Sequence, residues 1–141
     1  MPSLDNMMLR QIIMDHYENP RNHELVEDDS YKKVNMDSET CIDNIDIQAK
    51  IENGVIEDIR FDGEACAICT SSTSIMTELL IGKTIDEARV IIENYMNMIF
   101  EKDYDPEILE EAIAFYNTHK QANRIKCATL GWKGITQLID E

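Results

Sequence analysis

The chain has 141 residues, of which 43% are hydrophobic and 29% charged, and these proportions are typical of a globular domain rather than of a disordered or fibrous protein. Its 28 acidic residues outnumber its 13 lysines and arginines, which gives a formal net charge of −15 and argues against binding to nucleic acid or to an anionic membrane. We therefore expect a single domain over residues 1–141, without nucleic-acid or membrane partners.

A first helix is expected close to the N-terminus. Ser3 or Asp5 can cap its start, and Asn19-Pro20 ends it. Four apolar residues recur at helical spacing and form its expected buried stripe: Leu9, Ile12, Ile13 and Tyr17.

The middle of the chain predicts a small antiparallel sheet. Residues 31–36 are its first candidate strand, and a second one follows in which apolar and polar residues alternate from Ile45 to Ile51. Asn53-Gly54 provides the two positive-φ residues of a type I′ hairpin turn. The return strand is expected to place four residues on one face: Val55, Glu57, Ile59 and Phe61.

After about residue 65 the apolar residues recur every three or four positions, which predicts four further helices. The first ends at Gly82, and the second opens with a capping box from Thr84 to Glu87. Asp105-Pro106 starts the third, and the last begins near Lys126. Together these elements predict an α+β fold, in which a small antiparallel three-stranded sheet packs against about five helices.

The four cysteines are the main candidates for a chemical role. Residues 1–5 lack the basic and apolar stretches of a secretory signal, so we expect a cytoplasmic protein whose thiols stay reduced. In that compartment cysteines are more often metal ligands, reactive thiols or core residues than disulfides.

Three of these cysteines lie at predicted element boundaries. Cys41 precedes the second strand, with Asp43 two residues later; Cys66 lies where the hairpin gives way to a helix, and Cys127 at the start of the last helix. Helix N-termini stabilise thiolates. Three thiolates and one carboxylate suit a tetrahedral zinc site, and they also suit part of an iron–sulfur cluster. Spacing alone equally allows buried, inert cysteines.

A rival hypothesis comes from the C-x-x-C motif of Cys66 and Cys69, which is typical of thiol–disulfide exchange. Thioredoxin-like folds need a βαβ pattern before this motif and a cis-proline loop after it. The prolines of this chain, Pro2, Pro20 and Pro106, do not fit that loop. The motif is therefore a weaker indication than the metal site.

Three longer motifs resemble one family, the SufU-type iron–sulfur assembly proteins, which are relatives of IscU and of the N-terminal domain of NifU. They are MDHYENPRN at residues 14–22, the hairpin with its following cysteine at 54–66, and RIKCATLGW at 124–132. About thirty residues between 94 and 124 form an extra helical segment that IscU proteins lack. Lys126 stands where IscU has a histidine, so the resemblance is closer to SufU.

This resemblance implies an iron–sulfur cluster assembly protein that accepts sulfane sulfur from a SufS-type cysteine desulfurase at a zinc-bound cysteine. The implied zinc ligands are Cys41, Asp43, Cys66 and Cys127, and Cys41 is the sulfur acceptor. A cation at Arg124 is expected to stabilise the thiolate or persulfide. We expect an accessory partner of the desulfurase, without independent multi-turnover activity.

Two alternatives remain open. In the first, the same four residues hold a transient [2Fe–2S] cluster that is built on the protein and passed to apo-proteins. In the second, the protein is a binding module with a structural zinc and no sulfur traffic. Downstream iron–sulfur assembly or acceptor proteins are expected partners of the sulfur acceptor.

Two positions depart from the family pattern. Ile42 replaces a glycine, and a positive φ there would be costly for a β-branched residue. Cys69 stands where a small residue such as serine is expected, and we interpret it as a neutral replacement, with a fifth ligand or a disulfide partner of Cys66 as alternatives. The three histidines, His16, His23 and His119, are interpreted as ordinary surface or hydrogen-bonding residues. The eight methionines are interpreted as core residues.

Overall fold

The computed structural model describes residues 6–38 and 42–140. It has helices α1 Asn6–Glu18, α2 Ala67–Leu80, α3 Ile85–Ile99 and α4 Ala122–Asp140, strands β1 Lys32–Asp37, β2 Asn44–Glu52 and β3 Val55–Glu64, and the 3₁₀ segments Pro106–Phe115 and Thr118–Lys120. The α+β prediction is confirmed, since five helices, the longer 3₁₀ segment included, accompany a three-stranded antiparallel sheet. The predicted caps Ser3 and Asp5 lie outside the described residues.

The sheet has the order β1-β2-β3, so each strand pairs with its neighbour along the chain. Asn53 and Gly54 have φ values of 54° and 74°, as the predicted type I′ turn requires. Along β2, Ile45, Ile47 and Ala49 are buried as predicted. Gln48, which the alternation places on the polar face, is buried as well, because its side-chain amide forms hydrogen bonds with the Val26 N–H and carbonyl, each at 2.9 Å.

The predicted face of β3 is wrong at its first half. Ile51 pairs with Ile56, whereas Lys50 pairs with Asp58, so one extra residue, Glu57, interrupts the register. Such a bulge moves every earlier side chain to the opposite face. Ile56 is therefore buried together with Ile59 and Phe61, and Glu57 is exposed.

Helix α2 lies at the centre of the molecule and packs against α1, α4 and β3. Its hydroxyl-bearing run from Thr70 to Ser74 is buried, although the sequence pattern marked only its second half as apolar. Helix α4 packs on the sheet at Gly134, where an added Cβ would lie 2.5 Å from Ile47 Cδ1 and 2.9 Å from Met36 Cγ. Because Gly134 has no Cβ, α4 can approach β1 and β2 closely at this position.

The buried face of α1 differs from the predicted one by one residue. Tyr17 is 44% exposed, whereas His16 is fully buried. His16 Nδ1 is 2.8 Å from Ser74 Oγ on α2, and His16 Nε2 is 3.2 Å from Glu111 Oε1 on the longer 3₁₀ segment. These polar partners explain why the histidine, rather than the neighbouring tyrosine, faces the interior.

The later helices are confirmed with two corrections. Thr84 and Glu87 form the predicted capping box of α3. Asp105 caps the next element, but this element consists of two short 3₁₀ helices that meet at a kink at Glu110, where φ is 47° and ψ is −124°. Its buried residues lie on both sides of the kink: Leu109 before it, and Ala112, Ile113, Ala114 and Phe115 after it. Helix α4 begins at Ala122, four residues before the predicted start. Across the described residues, no helix combines the length and apolar character needed to cross a membrane.

Candidate metal centre

Asp43 lies just before β2, and its side chain is fully buried. The Asp43 carbonyl accepts a hydrogen bond from the Ser38 N–H just after β1, 2.8 Å. Asp43 Oδ1 accepts a hydrogen bond from the Cys66 N–H at 2.7 Å. This contact connects the entry of β2 with the start of α2.

Cys66 is the N-cap of α2, as the sequence predicted for a cysteine at this boundary. Its Sγ accepts a hydrogen bond from the Cys69 N–H at 3.4 Å and lies 3.7 Å from Asp43 Oδ2. Cys66 as a residue is partly exposed and lines an open cavity.

Cys127 does not lie at the start of a helix, because α4 begins five residues earlier. Its thiol donates to the Asn123 carbonyl one turn before it, at 3.7 Å. Burial raises the pKa of Cys127 far above its ordinary value, and the neighbouring Asp43 and Cys66 raise it further. Without a bound metal ion, this thiol stays protonated at neutral pH.

Asp43, Cys66 and Cys127 form one group, in which the ligand atoms all lie within 4.8 Å of one another. Ligand atoms of a tetrahedral zinc site are about 3.3–3.8 Å apart, so a small contraction would suffice. Two thiols and a buried carboxylate are also donors that zinc prefers. The group therefore fits a zinc ion, and the predicted fourth ligand, Cys41, lies outside the described residues.

Comparison with known proteins gives a consistent result. A family model for the NifU-like N terminal domain matches residues 8–140. The chain belongs to the NifU-like N-terminal domain family.

Two relatives and one solved structure are similar to this chain over most of their own length. The zinc-dependent sulfurtransferase SufU of Bacillus subtilis is 40% identical over 129 residues, 91% of this chain and 86% of that protein. The iron-sulfur cluster assembly scaffold protein IscU of Streptococcus pyogenes is 32% identical over 95% of this chain and 84% of that protein. The crystal structure of a putative iron-sulfur cluster assembly scaffold protein for the SUF system from Fervidobacterium islandicum has a TM-score of 0.82 at 31% identity, covering 89% of this chain and 92% of that one.

In this NifU-like domain, Ile42 is the described residue immediately before Asp43. Its side chain is 67% exposed. The bulk that replaces a glycine here therefore extends into solvent and not into the core.

Cys69 is fully buried and belongs to the hydrophobic core. In the part of the chain that the structure describes, the ligand group consists of Asp43, Cys66 and Cys127, and Cys69 is not a member. Its backbone N–H contacts the group through Cys66 Sγ. This position agrees with its interpretation as a neutral replacement and not with a fifth ligand.

Arg124 and Lys126 line an open cavity of about 690 Å³ together with Cys66 and Cys127. Arg124 is one helical turn before Cys127 and is exposed. Two cations thus lie at the mouth of the thiol group, as the sequence suggested for Arg124. Positive charge in this position favours a thiolate or persulfide.

The histidines take other roles. His16 is a buried hydrogen-bonding residue, and His23 contacts Asp62 at 3.3 Å and the Phe61 ring. The side chain of His119 lies outside the described part. Both described histidines are outside the group of possible ligands, as predicted.

The sequence interpretation missed a buried network behind Cys127. The Ala128 carbonyl accepts hydrogen bonds from Ser72 Oγ at 2.7 Å and from the Tyr95 hydroxyl at 2.8 Å. Trp132 Nε1 donates to Ser72 Oγ at 3.0 Å, and its ring stacks on Tyr95. The network fixes α4 against α2 and α3 one residue away from Cys127. The only sequence signal for it was the polar run at residues 70–74 within an otherwise apolar helix.

Proposed function

We propose that this protein is an iron–sulfur cluster assembly protein that accepts sulfane sulfur from a cysteine desulfurase at Cys41. The observation that carries the proposal is the buried group of Asp43, Cys66 and Cys127, which fits zinc. Support comes from the 40% identical relative, which is named a zinc-dependent sulfurtransferase. The family match over residues 8–140 also supports our prediction that the chain is one domain.

In this proposal Cys41, Asp43, Cys66 and Cys127 are the four zinc ligands. Bound zinc would keep the thiols deprotonated at neutral pH, which offsets the burial that otherwise keeps Cys127 protonated. The carboxylate of Asp43 is a harder ligand than a thiolate. A ligand set with one oxygen is therefore more open to exchange than a set of four cysteines.

The transfer step uses the thiolate of Cys41 as the nucleophile. It attacks the outer sulfur of the desulfurase persulfide, so that a sulfur–sulfur bond to Cys41 forms while the persulfide bond of the enzyme breaks. The cysteine of the enzyme leaves as a thiolate, and Cys41 becomes a persulfide. The sulfane sulfur keeps its oxidation state, and no external oxidant or reductant is required. Arg124, at the mouth of the thiol group, stabilises the negative charge of that persulfide.

Replacing Cys41 by alanine is expected to abolish stimulation of the desulfurase while the fold stays intact. Sulfide release with cysteine as substrate measures the first effect, and far-UV circular dichroism measures the second. Cys69→Ala is the matched control, because Cys69 packs in the core and lies outside the ligand group. Stimulation that survives Cys41→Ala would contradict the mechanism.

The second candidate function is a scaffold for a [2Fe–2S] cluster on the same residues. It is favoured by the similarity to proteins named IscU scaffolds, of which one is 32% identical over 95% of this chain. Anaerobic reconstitution with iron and sulfide distinguishes the two functions. Visible absorbance of a cluster that can be transferred to an apo-ferredoxin would favour the scaffold.

The proposed partners follow from the sulfur-acceptor function. The donor is a cysteine desulfurase of the SufS type, and the recipients are downstream iron–sulfur assembly or acceptor proteins. A binding module with a structural zinc would not respond to any desulfurase. Loss of folding on chelation, combined with no effect on desulfurase turnover, would favour that module.

A further inference from the structure

Two of the five arginines differ from the others in their surroundings. Arg21, Arg60 and Arg89 each form an ion pair, with Asp15 at 2.7 Å, Asp58 at 2.9 Å and Asp140 at 2.7 Å, respectively. Within residues 6–38 and 42–140, Arg10 and Arg124 form no ion pair of this kind. Both are exposed, in a chain whose acidic residues exceed its basic ones by 15.

These two arginines line the same groove. It lies between α1, the longer 3₁₀ segment and the start of α4, and has a volume of about 440 Å³. Its apolar lining includes Leu9, Ile13 and Phe115, and no aspartate or glutamate is among its described lining residues. In its described lining, the groove thus combines an apolar floor with two arginines and no carboxylate, on a protein with a net charge of −15.

The groove is continuous with the cavity of the metal centre. Ile68 and Arg124 line both, and the second cavity also contains Lys126, Cys66 and Cys127. Among the residues that the structure describes, the lining of this second cavity contains no aspartate or glutamate either. One continuous surface therefore extends from α1 to the thiols, with three cations along its length.

The chemistry of the surface selects one kind of occupant. Guanidinium groups bind carboxylates through paired hydrogen bonds, and the apolar floor excludes water from such contacts. A small anion would leave this floor uncovered, and a polyanion such as nucleic acid would be repelled by the net charge of −15. A protein segment can combine local carboxylates with apolar side chains and so match both features.

We propose that the groove between Arg10 and Arg124 is the docking surface for an acidic, apolar segment of the protein that donates sulfur. This inference rests on the proposed function, and it adds the place and the chemistry of the contact. Docking there brings the partner to the cavity that Cys66 and Cys127 line. Arg10 contributes to affinity and not to the transfer step, because it lies on α1 at the far end of this surface.

The test measures binding separately from sulfur transfer. The probe is the cysteine desulfurase from the same genome, labelled for fluorescence anisotropy and titrated with the Cys41→Ala protein, so that no sulfur moves. Adding Arg10→Gln is expected to raise the dissociation constant about fivefold and to weaken its salt dependence, as is typical of a charge at the rim of an interface. Arg89→Gln is the matched control, because Arg89 is paired with Asp140 outside the groove, and it is expected to bind unchanged.

Each other outcome overturns the proposal. Equal affinities of the Arg10→Gln and parent proteins would exclude the groove, and an equal loss in Arg89→Gln would indicate a general effect of charge. Absence of measurable binding to the desulfurase would exclude this partner. A self-association in sedimentation experiments that Arg10→Gln abolishes would assign the groove to a second copy of the chain. Failure of the proposed function has a different signature, namely normal docking without sulfur on Cys41 of the wild-type protein.

Discussion

Asp43 contacts Cys66 through both of its carboxylate oxygens. Oδ1 accepts the Cys66 N–H at 2.7 Å, and Oδ2 lies 3.7 Å from the Cys66 sulfur. The first oxygen therefore positions the start of α2, and the second one is directed at the thiol. A buried carboxylate is costly without hydrogen-bond donors, and the Cys66 N–H is such a donor for Asp43.

Replacing Asp43 separates its two contributions. Asp43→Asn keeps an oxygen that can accept the Cys66 N–H but removes the charge, whereas Asp43→Ala removes both. We expect both variants to bind zinc at least tenfold more weakly. Only Asp43→Ala is expected to lower the stability of the zinc-free protein, by about 1–2 kcal/mol, because it leaves a buried N–H without its acceptor.

Chelator competition measures the zinc affinity of the two variants, and urea unfolding measures their stability. Equal stability of the two zinc-free variants would contradict the positioning contribution of Oδ1. Zinc binding at wild-type affinity in both would contradict the ligand contribution of Oδ2.

Single residues were predictable from sequence where a local pattern defines them. Asp43 and Cys66 follow from element boundaries, and the structure brings them together. The surroundings of Cys127 were not predictable, because its pKa depends on burial and on residues more than sixty positions away in the chain. The burial of His16 was missed for the same reason, since its partners Ser74 and Glu111 are distant in sequence.

At the scale of elements, α2 and α4 approach each other closely at Gly131. An added Cβ at Gly131 would lie 2.5 Å from Thr73 Oγ1 and 3.0 Å from Thr73 Cγ2. Thr73 Oγ1 is buried, and within the described structure it has no hydrogen-bond partner. The close approach of the two helices therefore also costs the desolvation of one hydroxyl group.

Gly131→Ala is expected to destabilise the protein by about 1–3 kcal/mol, because the new methyl group meets Thr73 in a packed interface. The double variant Gly131→Ala with Thr73→Ala is expected to recover most of this loss. Urea unfolding of the single and double variants gives the coupling energy. Additive effects would show that the two residues do not contact each other as described.

Elements whose pattern is local were predicted well. The I′ turn at Asn53-Gly54, the capping box at Thr84 and the buried apolar face of β2 need only neighbouring residues. The bulge at Glu57 and the 3₁₀ form of residues 106–115 were not predicted, because packing against other elements decides between states of similar local energy.

At the scale of the molecule, the three described ligand candidates come from three different places. Asp43 precedes β2, Cys66 begins α2 and Cys127 lies within α4. A metal ion bound to all three would connect the sheet to both helices. Binding to the folded state alone then adds to the free energy of unfolding.

Removing the metal is therefore expected to lower the stability of the whole protein. If free zinc is about a thousand times its dissociation constant, the loss is about 4 kcal/mol. For a chain of this length, this corresponds to a decrease in Tm of about 10 °C. Calorimetry before and after chelation measures it, with Cys127→Ser as the control that chelator should not affect. An equal Tm for the wild-type protein with and without chelator would contradict a metal that bridges these elements.

The most direct test of the central claim is native mass spectrometry of the protein purified without oxygen. We predict a mass increase of one zinc ion on the wild-type chain, which Asp43→Ala and Cys127→Ser each remove. Two irons with two sulfides would instead establish the scaffold function. A folded chain without any metal would contradict the account.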